Sequence, residues 1–159
     1  MTRKDIKKKV DDILHSFWNK KLPVNINSIV SNYNIEICTS CNETSKNKIG
    51  VYVPKTSNTP TKIIFHPHED VAQQRLIVAY LFGYHILASK ELRKSSITRE
   101  HFKNVNSIYN IFIDELLLPE ETFRSVVEVH NIRTIEKLAT IFQVTTGMIA
   151  HRAMEYKYS

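Results

Sequence analysis

Apolar positions recur along the chain in two periods, and the switch between them lays out the elements. Over 3–20, Ile6, Val10, Ile13, Leu14, Phe17 and Trp18 fall on one face at the spacing of an amphipathic helix. A Leu22-Pro23-Val24 break follows, and 25–33 predicts a short helix with Ile26, Ile29 and Val30 inward. Asn34 marks a turn, and 35–39 predicts a strand. A polar loop over 40–48 leads to a second strand at 49–53, rich in β-branched residues. The connection 54–61 holds two prolines with Ser, Thr and Asn, so it is a hairpin link longer than the tight two-residue kind. The third strand is expected at 62–66.

The stretch 74–88, QRLIVAYLFGYHILA, is the one on which the other elements converge. No formal charge occurs between Arg75 and Lys90, and Leu76, Ala79, Tyr80, Gly83, Ile86 and Leu87 repeat at helical spacing. That pattern predicts a central, mostly buried helix, with Glu69 and Asp70 suited to its positive N-terminus. A second long helix is expected over 98–118, with Phe102, Val105, Ile108, Ile111, Phe112 and Leu116 inward. Pro119 stops it and begins another helix at the first-turn position, where proline is tolerated. The tail, 134–156, reads as helix, short turn, helix, with Thr134 and Thr145 as N-caps. Three short strands among helices imply an α+β fold with a small antiparallel sheet covered by helices. The whole chain, 1–159, reads as one domain, with a core over 1–130 and a helical tail over 131–159 packed on it.

Composition sharpens this picture in three places. With 159 residues, 42% hydrophobic and 24% charged, the chain can bury one sizeable core. The uncharged stretch is too short and too rich in Tyr and His for a bilayer span, which takes about 20 apolar residues. No apolar leader segment precedes it, so a cytoplasmic location without membrane contact is expected. A net charge of +6 permits contact with nucleic acid or an acidic protein but demands neither. The basic cluster Arg3, Lys4, Lys7, Lys8 and Lys9 reads as the solvated face of the first helix. Cys38 and Cys41 form a lone Cys-x-x-Cys, either redox-active or half of a zinc site whose nearest further ligands are His66 and His68 at an unusual spacing. A strand end and a turn that hold two thiols is the simpler reading.

Two stretches resemble the ImmA/IrrE family of zinc-dependent peptidases. The family's signature helix carries Ala-His-Glu-Leu-Gly-His where this chain has Ala79-Tyr80-Leu81-Phe82-Gly83-Tyr84. The family's Glu-Ala-Asn-x-Phe-Ala-Ala-Glu-Leu-Leu-Met-Pro passage corresponds to residues 108–119, with matches at Asn110, Phe112, Glu115, Leu116, Leu117 and Pro119. The Leu-Pro-Val, short helix, strand order near the N-terminus and the helix-turn-helix-like tail are also similar to the family's. The resemblance implies a zincin-like helical domain.

It also implies which positions would carry chemistry. His-Glu-x-x-His works because residues i and i+4 share a helix face, so two imidazoles meet one zinc ion. A third ligand comes from the second helix, and the Glu takes a proton from zinc-bound water, whose pKa the metal lowers to about 7. Here Tyr80 and Tyr84 replace the imidazoles, Leu81 the base and Ile108 the third ligand. A phenol with a pKa of about 10 is a poor zinc ligand at neutral pH, and Leu and Ile offer no lone pair.

The expectation is therefore no catalytic residue, no zinc, and a degenerate cleft of Tyr80, Leu81, Tyr84, His85 and Ile108 that binds a protein. The resemblance implies the partner class: a helix-turn-helix, DNA-binding repressor of a prophage or mobile element. His85 is expected to be satisfied by a backbone carbonyl, and Glu115 to be structural. Two other readings stay open. One is a metallopeptidase with a non-standard metal site such as His66, His68 and His85. The other is a DNA-binding regulator using Arg133, Lys137, His151 and Arg152 of the tail. Against the latter stand Gln143 at the turn and the scarcity of long polar side chains over 145–150 for reading base edges.

Overall fold

A computed structural model describes residues 1–88 and 91–158. The chain enters through α1 (Arg3–Phe17), fixed at its start by a capping box in which Thr2 and Asp5 bond each other's backbone N–H groups. Ile6, Val10, Ile13 and Leu14 form its buried face, while Phe17 ends the helix 39% exposed. Asn25 caps α2 (Ile26–Ser31) by accepting the Ser28 N–H, and Ile26, Ile29 and Val30 turn inward as their spacing predicts.

The sheet differs from the expected one. Among the described residues it has four strands, β1 (Ile35–Thr39), β2 (Gly50–Val53), β3 (Thr61–Phe65) and β4 (Ser95–Ile97), in the order β1-β3-β2-β4. β2 and β3 form the predicted antiparallel hairpin. β1, however, runs parallel to β3 with Ile37 opposite Ile63, and β4 runs antiparallel to β2 with Ile97 opposite Gly50. The sheet is thus mixed rather than antiparallel. The loop at 40–49 is long enough to carry the chain past a vacant strand position, which β3 then fills. β4 has only Ser95, Ser96 and Ile97, too short for any apolar alternation to show in sequence.

α3 (Val71–Leu87) is the predicted central helix, capped by Asp70, whose carboxylate accepts the Gln73 N–H at 2.8 Å. Every residue from Leu76 to Gly83 is buried, which accounts for the missing charges. Two glycines set how closely α3 is gripped. A Cβ on Gly50 of β2 would stand 2.5 Å from Ile77 Cγ2, and one on Gly83 would stand 2.9 Å from the Phe112 ring of α4 (Ile108–Leu117). α3 is therefore clamped between sheet and helix.

The single long helix expected over 98–118 is broken. After β4 comes a 3-10 turn, Arg99–Phe102, then an irregular 103–107, and only at Ile108 does α4 begin, capped by Ser107. Asn104, Asn106 and Ser107 favour local side-chain to backbone hydrogen bonds over helix continuation. Asn104 Oδ1 accepts the Asn106 N–H, and Asn110 Nδ2 donates to the carbonyls of His101 (2.8 Å) and Asn104 (2.6 Å), pinning the segment over α4. Of the two residues assigned to the lost helical stretch, Phe102 is half-buried and Val105 is exposed.

Pro119 stands at the N-cap of α5 (Glu120–Glu128), one place outside the predicted first turn. The tail forms α6 (Ile135–Phe142) and α7 (Thr146–Tyr158), and the Thr134 and Thr145 hydroxyls cap them by accepting the Lys137 and Met148 N–H groups. Gln143 takes the left-handed conformation (φ 51°) at the turn between them, a position glycine usually fills. Arg152 of α7 reaches back to the core, where it is buried against Glu115 and the Leu118 carbonyl. Among the described residues no helix is long and apolar enough to cross a membrane.

Candidate functional site

Tyr80 and Tyr84 lie one turn apart on the face of α3 that looks toward the start of α4. The Tyr80 ring packs against Tyr109 (5.3 Å between centroids), Phe102 (5.5 Å) and His101 (5.8 Å). Tyr84 packs against Tyr109 (6.2 Å) and, on its other side, Tyr52 of β2 (5.0 Å). Most of these pairs are edge-to-face, the arrangement that ring quadrupoles prefer. The result is a continuous chain of four phenols, Tyr80, Tyr109, Tyr84 and Tyr52, ending at His85, whose Nδ1 lies 2.7 Å from the Tyr52 hydroxyl.

Burial pushes the Tyr80, Tyr109 and Tyr52 phenols above their usual range and the His85 imidazole below its own. At neutral pH those three phenols therefore keep their protons, and the neutral form of His85 is favoured. A phenolate, the only form of tyrosine that would hold zinc well, is disfavoured further by the surroundings.

The structure does not gather all the residues singled out in sequence. Leu81 is fully buried beneath the cluster, its Cδ1 packed over Gly50 of the sheet, and Tyr80 is only 7% exposed. Tyr84, His85 and Ile108 are half-buried, and Ile108 sits in the first turn of α4 beside Tyr109. His85 is satisfied by the Tyr52 phenol, not by a backbone carbonyl as expected. His66 Nδ1 pairs with the Thr44 hydroxyl at 3.0 Å and its ring faces His68, so His66, His68 and His85 form no metal-holding group among the described residues. Cys38 is half-buried with its thiol pushed up by burial, Cys41 is exposed, and both are free. In the tail, Arg152 is buried and Arg133 donates to Asn131, leaving Lys137 exposed.

Tyr52, His101 and Tyr109 were not predicted. Tyr109 could have been found, since it neighbours Ile108 and its ring comes one position round the helix. Tyr52 and His101 come from a strand and a turn whose placement depends on the mixed sheet and the broken helix.

The positions that match the family passage carry structure. Gly83 and Phe112 touch each other, Asn110 holds the 99–107 segment, and Leu116, Leu117 and Pro119 are buried. Glu115 meets the Arg152 guanidinium through both oxygens, at 3.2 and 3.3 Å, and also faces Arg3 and Lys7. Two members of the basic cluster on α1 are therefore engaged by buried acid and not simply solvated.

A helix laid across a mixed sheet, presenting two side chains one turn apart to a second helix, defines a metallopeptidase-like α+β fold. The chain belongs to the peptidase M78 family, described as the IrrE N-terminal-like domain, which matches residues 34–154. That span takes in all four strands and runs from β1 well into α7. No curated protein matches the chain.

Proposed function

We propose that this protein is a catalytically inactive member of its family that works in the cytoplasm by binding a protein partner. The partner class that the family resemblance suggests is a helix-turn-helix, DNA-binding repressor carried by a prophage or mobile element. The observation that carries the reading is the tyrosine chain. At the positions that the family resemblance assigns to zinc and its activated water, Tyr80, Tyr84 and Tyr109 pack ring against ring, and burial raises the Tyr80 and Tyr109 phenols above their usual range.

Leu81, at the position the resemblance assigns to the base, has no lone pair and is buried against the sheet. A binding surface would use the half-buried rim, Tyr84, His85 and Ile108, with Tyr80 and Leu81 as the support beneath it. Direct contact with nucleic acid is the weaker alternative, because Arg152 is committed to Glu115 inside the fold.

Capture of partners from the native host, followed by incubation of the purified pair with and without chelator, tests the proposal. A stable complex with an intact partner is expected; chelator-sensitive cleavage of that partner would overturn the reading. A combined Tyr80→His, Leu81→Glu, Tyr84→His, Ile108→Glu variant should gain zinc affinity at the cleft, and no gain would count against the assignment of these positions. Tyr84→Ala should weaken the complex while the protein stays folded. Tyr80→Ala should instead cost about 3–5 kcal/mol of stability, as truncation of a buried aromatic does.

A further inference from the structure

A different group of side chains meets between α4 and α7. His151 and Glu155 stand one turn apart on α7, and Asp114 faces them from α4, six residues and about 9 Å of helix beyond Ile108. His151 Nδ1 lies 3.1 Å from Glu155 Oε1 and 3.5 Å from Asp114 Oδ2, and the three atoms fall within 4.8 Å of one another. Donors held at roughly 2.0–2.2 Å around a tetrahedral ion stand about 3.4 Å apart. These atoms already approach the separations an ion would impose.

The second observation concerns Glu155. Its Oε1 is shut off from solvent and points at His151 Nδ1, 3.1 Å away. Its other oxygen, Oε2, is held by Arg3, with Arg152 Nη1 at 3.7 Å. One oxygen is thus fixed by guanidinium groups and the other is left directed at His151 and Asp114, as outer partners orient a ligating carboxylate. The Asp114 side chain is 11% exposed, and with His151 it lines a cavity of about 270 Å3 whose apolar wall includes Leu76, Phe102 and Met148.

We propose that Asp114, His151 and Glu155 form a three-ligand site for a divalent first-row transition-metal ion, with its open coordination position on this cavity. One imidazole and two carboxylates suit zinc or manganese better than calcium, which takes oxygen ligands alone. The site is separate from the cleft positions Tyr80, Leu81, Tyr84 and Ile108 and stands whether or not the protein binds a repressor. Three protein ligands and an open position are the pattern of an ion that also receives water or a small ligand.

The test is metal content of the full chain, stripped with chelator and then dialysed against graded Zn2+ or Mn2+. One ion per chain is expected. Affinity should fall at least tenfold in Glu155→Gln and in His151→Gln, and stay at the parent level in the Cys38→Ser, Cys41→Ser double variant. Asp114→Asn should behave like the first two; because that position is buried, circular dichroism accompanies it, and Glu155→Gln at its partly exposed position decides if Asp114→Asn unfolds. Less than one ion per chain in the parent at saturation, unchanged binding in Glu155→Gln, or loss of binding in the cysteine variant would overturn the site.

Discussion

Gly83 permits α3 and α4 to approach closely enough for the Phe112 ring to lie on the helix backbone, and its replacement is the most direct probe of that contact. An added methyl would meet the ring at 2.9 Å. Gly83→Ala should therefore lower stability by about 1–3 kcal/mol through overpacking, read as a shift of the denaturation midpoint. Arg152 is a second such position. Arg152→Met leaves the Glu115 carboxylate buried with only the longer contacts to Arg3 and Lys7, and should cost about 3 kcal/mol in the same measurement. A further Glu115→Leu exchange should recover much of that loss, since an apolar pair needs no desolvated charge.

His85 contributes one pH dependence at this scale. Burial holds its folded pKa below the unfolded value of about 6.5, so the unfolded chain takes up the proton more readily. Its contribution is present above 6.5 and is lost as pH falls through 6.5 toward the lower folded value. Unfolding curves of the parent and of His85→Gln should accordingly converge as the solution is acidified through that window. Tyr80, Tyr84 and Ile108 could be singled out in sequence because residue type alone shows that no imidazole or carboxylate stands at those positions. The partner of His85 was not legible, because Tyr52 reaches it from a strand 33 positions away.

At the scale of elements, the helices α1, α2, α3 and the tail pair could be read from apolar spacing because each buries a stripe or is buried all round. The stretch before α4 misled for a definite reason. Phe102 and Val105 sit at helical distances from Ile108, yet Asn104, Asn106 and Ser107 in the same stretch prefer to bond backbone locally. Asn110 is the element's tie: Asn110→Ala removes both bonds to the His101 and Asn104 carbonyls and should cost about 1–3 kcal/mol, with faster amide exchange over 99–107 than in the parent. Strand order was beyond reach for another reason. Parallel pairing of β1 with β3 leaves no local mark, whereas the β2–β3 hairpin announces itself through its turn residues.

Across the whole molecule, pairing distance along the chain grows from the hairpin outward. β3 meets β2 within a few residues of the turn, and β1 joins it across 26 positions, Ile35 to Thr61. β4 closes on β2 only after α3 has been laid down, Gly50 pairing with Ile97. Loop closure over such a span is paid late in folding, and three residues of edge strand repay little of it. The edge of the sheet formed by β4 also leads into the 99–102 turn, whose His101 and Phe102 rings pack on Tyr80. Breathing of that margin would uncover the tyrosines while the hairpin stays zipped, and the amides of 95–97 should surrender their protons to deuterium well ahead of those in β3.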